Sequence, residues 1–225
     1  MLFNKEQKVC FYEPNKTGST TARMFLAKLG WNFLRPIHGT PDQFVQKYPA
    51  LSEYKSFVFF RDPLGRFMSI VHSIKRGADT LHMDAFRTNE NSAQTTNPSG
   101  DVLRTWADVI ADISPKDDPE KTLSNFTYED VVNNFDKFQP DFGMAFRPQI
   151  SWMNAPNLEV LDFDNYESEL RRISGAADPD AYPIALLNVS PNKYRGEVTP
   201  AVIDLVRTIY AEDYKFAKEM LGKEY

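Results

Sequence analysis

Eight consecutive residues, Pro14-Asn15-Lys16-Thr17-Gly18-Ser19-Thr20-Thr21, put a lysine, a glycine and a run of hydroxyls at the mouth of an amphipathic segment. That is the composition of an anion site at a helix N-terminus. Amides without intrahelical acceptors and the helix dipole point at the ligand there, glycine lets the backbone approach, and lysine adds a point charge. The order is not that of the Walker sequence, in which the lysine follows the glycine. Taken alone, the segment reads first as a Ser/Thr helix cap beside a solvated lysine. A second constellation, Arg61-Asp62-Pro63-Leu64-Gly65-Arg66-Phe67-Met68-Ser69, follows an apolar run. It sets Arg61 at the carboxyl end of a strand, where open α/β sheets bind ligands and a guanidinium grips phosphate bidentately. Ser69 falls in the helix that follows, within sequence reach of the same phosphate. Read singly, Arg61 is also a natural partner for Asp62, and Ser69 a helix-surface hydroxyl. His38, in Arg35-Pro36-Ile37-His38-Gly39-Thr40, has a side chain suited to proton transfer near neutrality, or to bonding backbone at a turn. Glu13, beside the lysine loop, is the reserve base.

The elements that must position these residues follow βαβ grammar. Lys8 to Glu13 reads as a buried strand, and Ser19 to Leu29 as a helix stopped by Gly30. Trp31 to Ile37 reads as a second strand. Thr40-Pro41-Asp42-Gln43 supplies a capping hydroxyl, a first-turn proline and a glutamine for a short helix. Ser56 to Phe60 is the strongest strand signal, and Asp62-Pro63 starts a helix through Ile74. Three strands joined by helical crossovers imply a parallel sheet. Residues 76–101 read as a surface loop, 102–113 and 127–138 as helices, Leu158 to Phe163 as a strand, Tyr166 to Ile173 as a helix, and Thr199-Pro200 as the start of a helix to Leu221.

Composition narrows the rest. The chain has 225 residues, 42% of them hydrophobic, which suits one ordinary globular domain. A single cysteine excludes an internal disulfide framework, and with three histidines no thiolate-rich zinc set can be assembled. A formal charge of −5 argues against a nucleic-acid or anionic-membrane partner, so any anionic ligand must be held locally. The start has no signal-peptide layout and no apolar run suggests a membrane anchor, so a soluble, cytoplasmic location is expected.

In order and spacing, the two constellations resemble the nucleotide-binding motifs of sulfotransferases that use 3′-phosphoadenosine 5′-phosphosulfate (PAPS). Lys16, Thr17, Gly18, Ser19, Thr20 and Thr21 match the loop that holds the 5′-phosphosulfate, and Arg61 and Ser69 match the motif that holds the 3′-phosphate. Asn15 separates Pro14 from Lys16, where the family usually has the two adjacent. Later landmarks resemble the carbohydrate-type branch: Phe146-Arg147-Pro148-Gln149, Asn165-Tyr166-Glu167, Leu187-Asn188-Val189-Ser190 and Val198-Thr199-Pro200. The resemblance is weakest between Lys75 and Phe142.

It implies a P-loop-like three-layer α/β fold with a central, mainly parallel sheet flanked by helices. A single sulfotransferase domain would span 1–225, with about 76–156 a loop-rich helical subregion on the acceptor side. PAPS would be the donor, 3′,5′-bisphosphoadenosine (PAP) the product, and the hydroxyl of a carbohydrate or other small molecule the acceptor. Sulfuryl transfer needs charge neutralised on a leaving phosphate oxygen and a proton removed from the acceptor, which assigns Lys16 and His38 as catalytic and demands no metal. Tyr194 and Arg195, in a basic loop, are candidates to close over the nucleotide. Arg147 and Gln149 suit either ligand contact or a structural turn. The rival readings are a kinase-like phosphotransferase using Lys16 and Arg61 around a triphosphate, and a nucleotide-binding module without catalysis.

Overall fold

The computed structural model describes residues 1–79, 127–136, 145–176, 178–186 and 197–225, with 74–79 described by backbone alone. The helix expected at 102–113, Tyr194 and Arg195 lie outside the described residues. The strands are β1 (Leu2–Asn4), β2 (Val9–Tyr12), β3 (Asn32–Phe33), β4 (Lys55–Phe60) and β5 (Leu158–Asp162), in spatial order β3-β1-β2-β4-β5. The helices are α1 (Ser19–Lys28), α2 (Pro41–Lys47), α3 (Pro63–Asp79), α4 (Tyr128–Asn133), α5 (Tyr166–Ser174), α6 (Pro200–Ile209) and α7 (Ala211–Leu221). The result is a mixed α/β chain whose five-stranded sheet is mostly parallel and flanked by helices.

Two compact units make up the chain. The first comprises Met1–Arg66, Arg147–Val189 and Ile209–Tyr225, and the second Phe67–Phe146 and Ser190–Thr208. The whole sheet belongs to the first. There β2 pairs in parallel with β4, Val9 opposite Lys55 and Tyr12 opposite Val58, and β4 pairs in parallel with β5, Phe60 opposite Asp162. β1 is antiparallel to both β2 and β3, so it alone runs against the other four strands.

Side-chain alternation along β2 and β4 covers both faces of the sheet. Phe11, Phe57 and Phe59 pack on one face with Ala22, Phe25 and Leu26 of α1 and Leu170 and Ile173 of α5. Cys10, Tyr12 and Val58 pack on the other with Phe44 of α2, Leu51 and Trp152. Phe60, on that second face, meets Phe216 of α7 with ring centroids 5.5 Å apart. Thr40 and Gln43 form the capping box of α2.

Two expectations change, and one strand is found that was not expected. The strand read over Trp31 to Ile37 shrinks to two residues at the sheet edge, hydrogen-bonded antiparallel to β1 rather than to a parallel neighbour. Pro36 has no N–H to extend that ladder. β1, which has no sequence signal, exists because Asn4 Oδ1 accepts from the amides of Glu6 and Gln7, both at 3.1 Å, and turns the chain into β2. The single helix expected from 199 to 221 divides at Tyr210, which leaves helical dihedrals (φ −115°, ψ 27°). The buried ring of Tyr210 lies under the Arg66 guanidinium, 5.2 Å from it.

In the second unit Thr127 and Asp130 form the capping box of α4. Phe146 packs against Phe67 and Phe135, with centroids 6.0 and 5.2 Å away. His72 is buried there and hydrogen-bonds the Tyr128 hydroxyl. Among the described residues no helix is long and apolar enough to cross a membrane.

Phe59 is fully buried between Phe11, Phe163 and Tyr166, at centroid distances of 5.7, 6.3 and 4.6 Å. Phe59→Ala is therefore expected to destabilise the protein by about 3–5 kcal/mol in chemical denaturation. A loss below about 1 kcal/mol would mean that this face of the sheet is not the tightly packed one.

Candidate functional site

β2 stops at Tyr12, whose partner is Val58, whereas β4 continues to Phe60. The loop from Glu13 to Gly18 thus leaves the sheet beside the carboxyl end of its neighbour. Five of its carbonyls accept side-chain hydrogen bonds, each from a different residue. His38 Nδ1–H donates to Glu13 O (2.6 Å), Thr17 Oγ1 to Pro14 O (2.8 Å), and Arg66 Nε to Asn15 O (2.9 Å). Arg61 Nη1 donates to Lys16 O (2.9 Å) and the Tyr166 hydroxyl to Gly18 O (2.7 Å). In a trans peptide the C=O and the next N–H point in opposite directions. Fixing these carbonyls toward their donors turns the N–H groups of Asn15, Lys16, Thr17 and Ser19 the other way.

The loop leads into α1. Its first intrahelical bond is Ala22 N to Gly18 O, 3.1 Å, and the preceding first-turn amides have no acceptor within the helix. Gly18 is the N-cap, no side chain caps this end, and the first turn contains no acidic residue. The dipole's positive end meets no carboxylate of its own turn. Gly18 is required twice over. Its φ is 76°, and a Cβ there would lie 2.5 Å from Tyr166 Cε2. Lys16 also has left-handed backbone (φ 65°), uncommon for a non-glycine residue, and its carbonyl is the one held by Arg61.

Arg61 is fixed from both ends. Its backbone N–H donates to Gln149 Oε1 (3.0 Å), and its carbonyl accepts from Gln149 Nε2 (2.8 Å). Its guanidinium lies 4.8 Å from the centre of the Phe163 ring. Asp62 turns to the next helix, accepting from Leu64 N (3.1 Å) and Gly65 N (2.8 Å) as the cap of α3. Burial lowers the Arg61 pKa from its ordinary value, Asp62 opposes this, and the neighbouring charge of Arg66 adds to it. A guanidinium has five N–H donors, and one bond to the loop sets the plane in which the rest are presented.

His38 is half-buried, with φ 63°. A carbonyl can only accept, so the bond to Glu13 O places the proton on Nδ1 and the lone pair on Nε2. Burial lowers the His38 pKa below its ordinary 6.5, against the raising effect of that backbone bond, which favours the neutral ring. The Glu13 carboxylate is buried and engaged. It accepts from Arg23 Nη2 and Nε at 2.8 and 3.1 Å, and the Met1 amino group lies 2.9 Å away. Acting as a base would require leaving those cations.

Thr17, Ser19 and Thr21 are buried and Thr20 is partly so. Ser69 is a half-buried residue of α3 in the second unit. The two candidates at 194 and 195 lie outside the described residues. Gln149 is fully buried on its 3-10 turn, where it joins strand end to turn. Arg66 and Tyr166, which each bond a loop carbonyl, stand within the motifs quoted from the sequence but are given no role there. The signal for Arg66 was an arginine set directly before the largely apolar stretch Phe67 to Val71. Tyr166 was quoted only as a landmark, and its bond to Gly18 is purely tertiary, so no local pattern pointed to it. No family model, curated protein or solved structure matches the chain.

Gly18→Ala is expected to cost at least about 1–2 kcal/mol from the left-handed backbone alone, with further loss from the contact with Tyr166. Thermal melting checks this, and an unchanged midpoint would mean that the loop relaxes freely around the added methyl.

Proposed function

We propose that the protein is a sulfotransferase with a P-loop-like three-layer architecture, carrying a sulfuryl group from PAPS to a hydroxyl acceptor. One observation carries this reading: a loop whose carbonyls are bonded outward by five separate side chains runs into an uncapped, acid-free helix N-terminus, with Lys16 in the loop and Arg61 against it. Such an arrangement suits a group bearing several anionic oxygens. The motif resemblance supplies the donor class.

The donor supplies an electrophilic sulfur joined to a phosphate leaving group. His38 Nε2 takes the acceptor's hydroxyl proton as the acceptor oxygen bonds to sulfur and the bond from sulfur to the 5′-phosphate oxygen breaks. Lys16, together with the first-turn amides of α1, balances the charge that grows on the departing oxygen. Arg61 recognises the 3′-phosphate through charge-assisted bonds. The acceptor is a carbohydrate or other small-molecule alcohol.

PAP is expected to bind more tightly than AMP, and Arg61→Ala to abolish most of the difference. Calorimetry giving equal affinities for the two nucleotides would reject the donor assignment. Lys16→Ala is expected to lower turnover more than affinity for PAP, because its partner is charge that develops during transfer. His38→Ala should keep PAP affinity while reducing turnover by roughly 10²–10⁴-fold. In the intact enzyme activity should fall as pH drops through the lowered pKa of His38, below 6.5, where the ring gains its proton and ceases to be a base. That acid limb should be missing from the residual activity of His38→Ala.

A further inference from the structure

The bonds that hold Arg61 do not end at Gln149. The carboxamide of Gln149 accepts from the Arg61 N–H and donates to the Arg61 carbonyl, so it copies an adjoining strand just where β4 runs out of sheet partners. Behind it, the backbone amide of Gln149 donates to Asp213 Oδ2 (2.9 Å) and that of Ile150 to Oδ1 (2.8 Å), so one α7 carboxylate caps the 3-10 turn. Gln149 and Asp213 are both fully buried. The outcome is an unbroken chain of hydrogen bonds from Asp213 through Gln149 and Arg61 to the carbonyl of Lys16. All four residues belong to the first unit.

Buried polar groups that satisfy each other this completely fix one geometry, because any rotation leaves a donor or acceptor unpaired at appreciable cost. A guanidinium at the end of a strand, with flexible side-chain torsions and no such support, would sample several orientations. Here the strand end is clamped, the side chain crosses Phe163, and its Nη1 finishes on the loop.

We propose that Gln149 and Asp213 are positioning residues that act through Arg61, orienting it for the phosphorylated nucleotide and holding Lys16 in its left-handed conformation. The assignment rests on the donor reading above. Both are fully buried and act through Arg61, so neither is a catalytic residue.

The test is PAP affinity by calorimetry, with melting temperature measured alongside, for wild type, Arg61→Ala, Gln149→Met, Asp213→Asn and the double variant Arg61→Ala/Gln149→Met. Gln149→Met and Asp213→Asn keep side-chain size. Gln149→Met is expected to weaken PAP roughly tenfold, the worth of about one well-placed buried bond, and the double variant to bind no more weakly than Arg61→Ala alone. Gln149→Glu adds a signature that a scaffold role would not produce. Its protonated carboxyl can accept from the Arg61 N–H and donate to the Arg61 carbonyl, whereas the carboxylate cannot donate. Its affinity relative to wild type at each pH should therefore recover on the acid side. The charged groups around this position are Arg61 at the end of β4, Asp213 on α7 and Arg66 on α3.

Affinities within twofold of wild type for the Gln149 and Asp213 variants, with Arg61→Ala weakened, would overturn this inference and leave the donor reading intact. Additive losses in the double variant, or lowered melting temperatures with unchanged affinity of the folded protein, would overturn it too. Arg61→Ala binding as wild type does, or wild type failing to prefer PAP to AMP, would bring down the donor reading and this inference with it.

Discussion

A peptide carbonyl removed from water must find a donor, and between Glu13 and Gly18 the donors are side chains. The sheet cannot supply them, because β2 has ended, and the helix cannot, because α1 has scarcely begun. His38, Arg61, Arg66 and Tyr166 come from four places in the chain, and Thr17 comes from the loop itself. The loop is consequently as well defined as the elements that surround it. Much of the first unit is arranged so that those donors arrive together: the register of β4 against β2 delivers Arg61, the α3 cap starts the helix that bears Arg66, and β5 leads through Phe163 to Tyr166.

The same arrangement makes a local positive region in a chain whose formal charge is −5. Lys16, Arg61 and Arg66 gather around the loop. The two carboxylates nearest them in sequence are turned to other partners, Asp62 to the first amides of α3 and Glu13 to Arg23. Arg66 is wholly buried and gives Nη2 to Arg147 O (2.6 Å) and Nε to Asn15 O, a role of organising backbone from within rather than meeting solvent. Arg61 performs the same service from a half-buried position.

The sequence was most legible where local chemistry decides the structure. The cap of α2 at Thr40-Pro41, the glycine after α1, the run of β4 and the start of α5 are written in residue types that have few other uses. Lys16, Gly18 and Arg61 stood out as candidates because phosphate chemistry asks for those residue types at a helix mouth and a strand end. What could not be read was pairing. β1 and β3 are too short for any periodicity and exist through each other, so placing Trp31 to Ile37 in a parallel sheet was reasonable from grammar and wrong in neighbour. The break at Tyr210 was hidden for the same reason, since an amphipathic pattern continues across it. Gln149 and Tyr166 look like ordinary turn and helix residues until long-range folding brings one to Arg61 and the other to Gly18.

The distance along the chain between Gln149 and the carboxylate that caps its turn has a bearing on how the molecule is made. Asp213 is 64 residues beyond Gln149, and Gln149 is 88 beyond Arg61. Chains emerge from the ribosome N-terminus first, and contacts this far apart close late. A growing polypeptide that has already joined β2 to β4 therefore carries the lysine loop well before it carries the clamp. The lysine loop is made well before the residues that fix it, and a product truncated ahead of Asp213 would display the motif without the geometry.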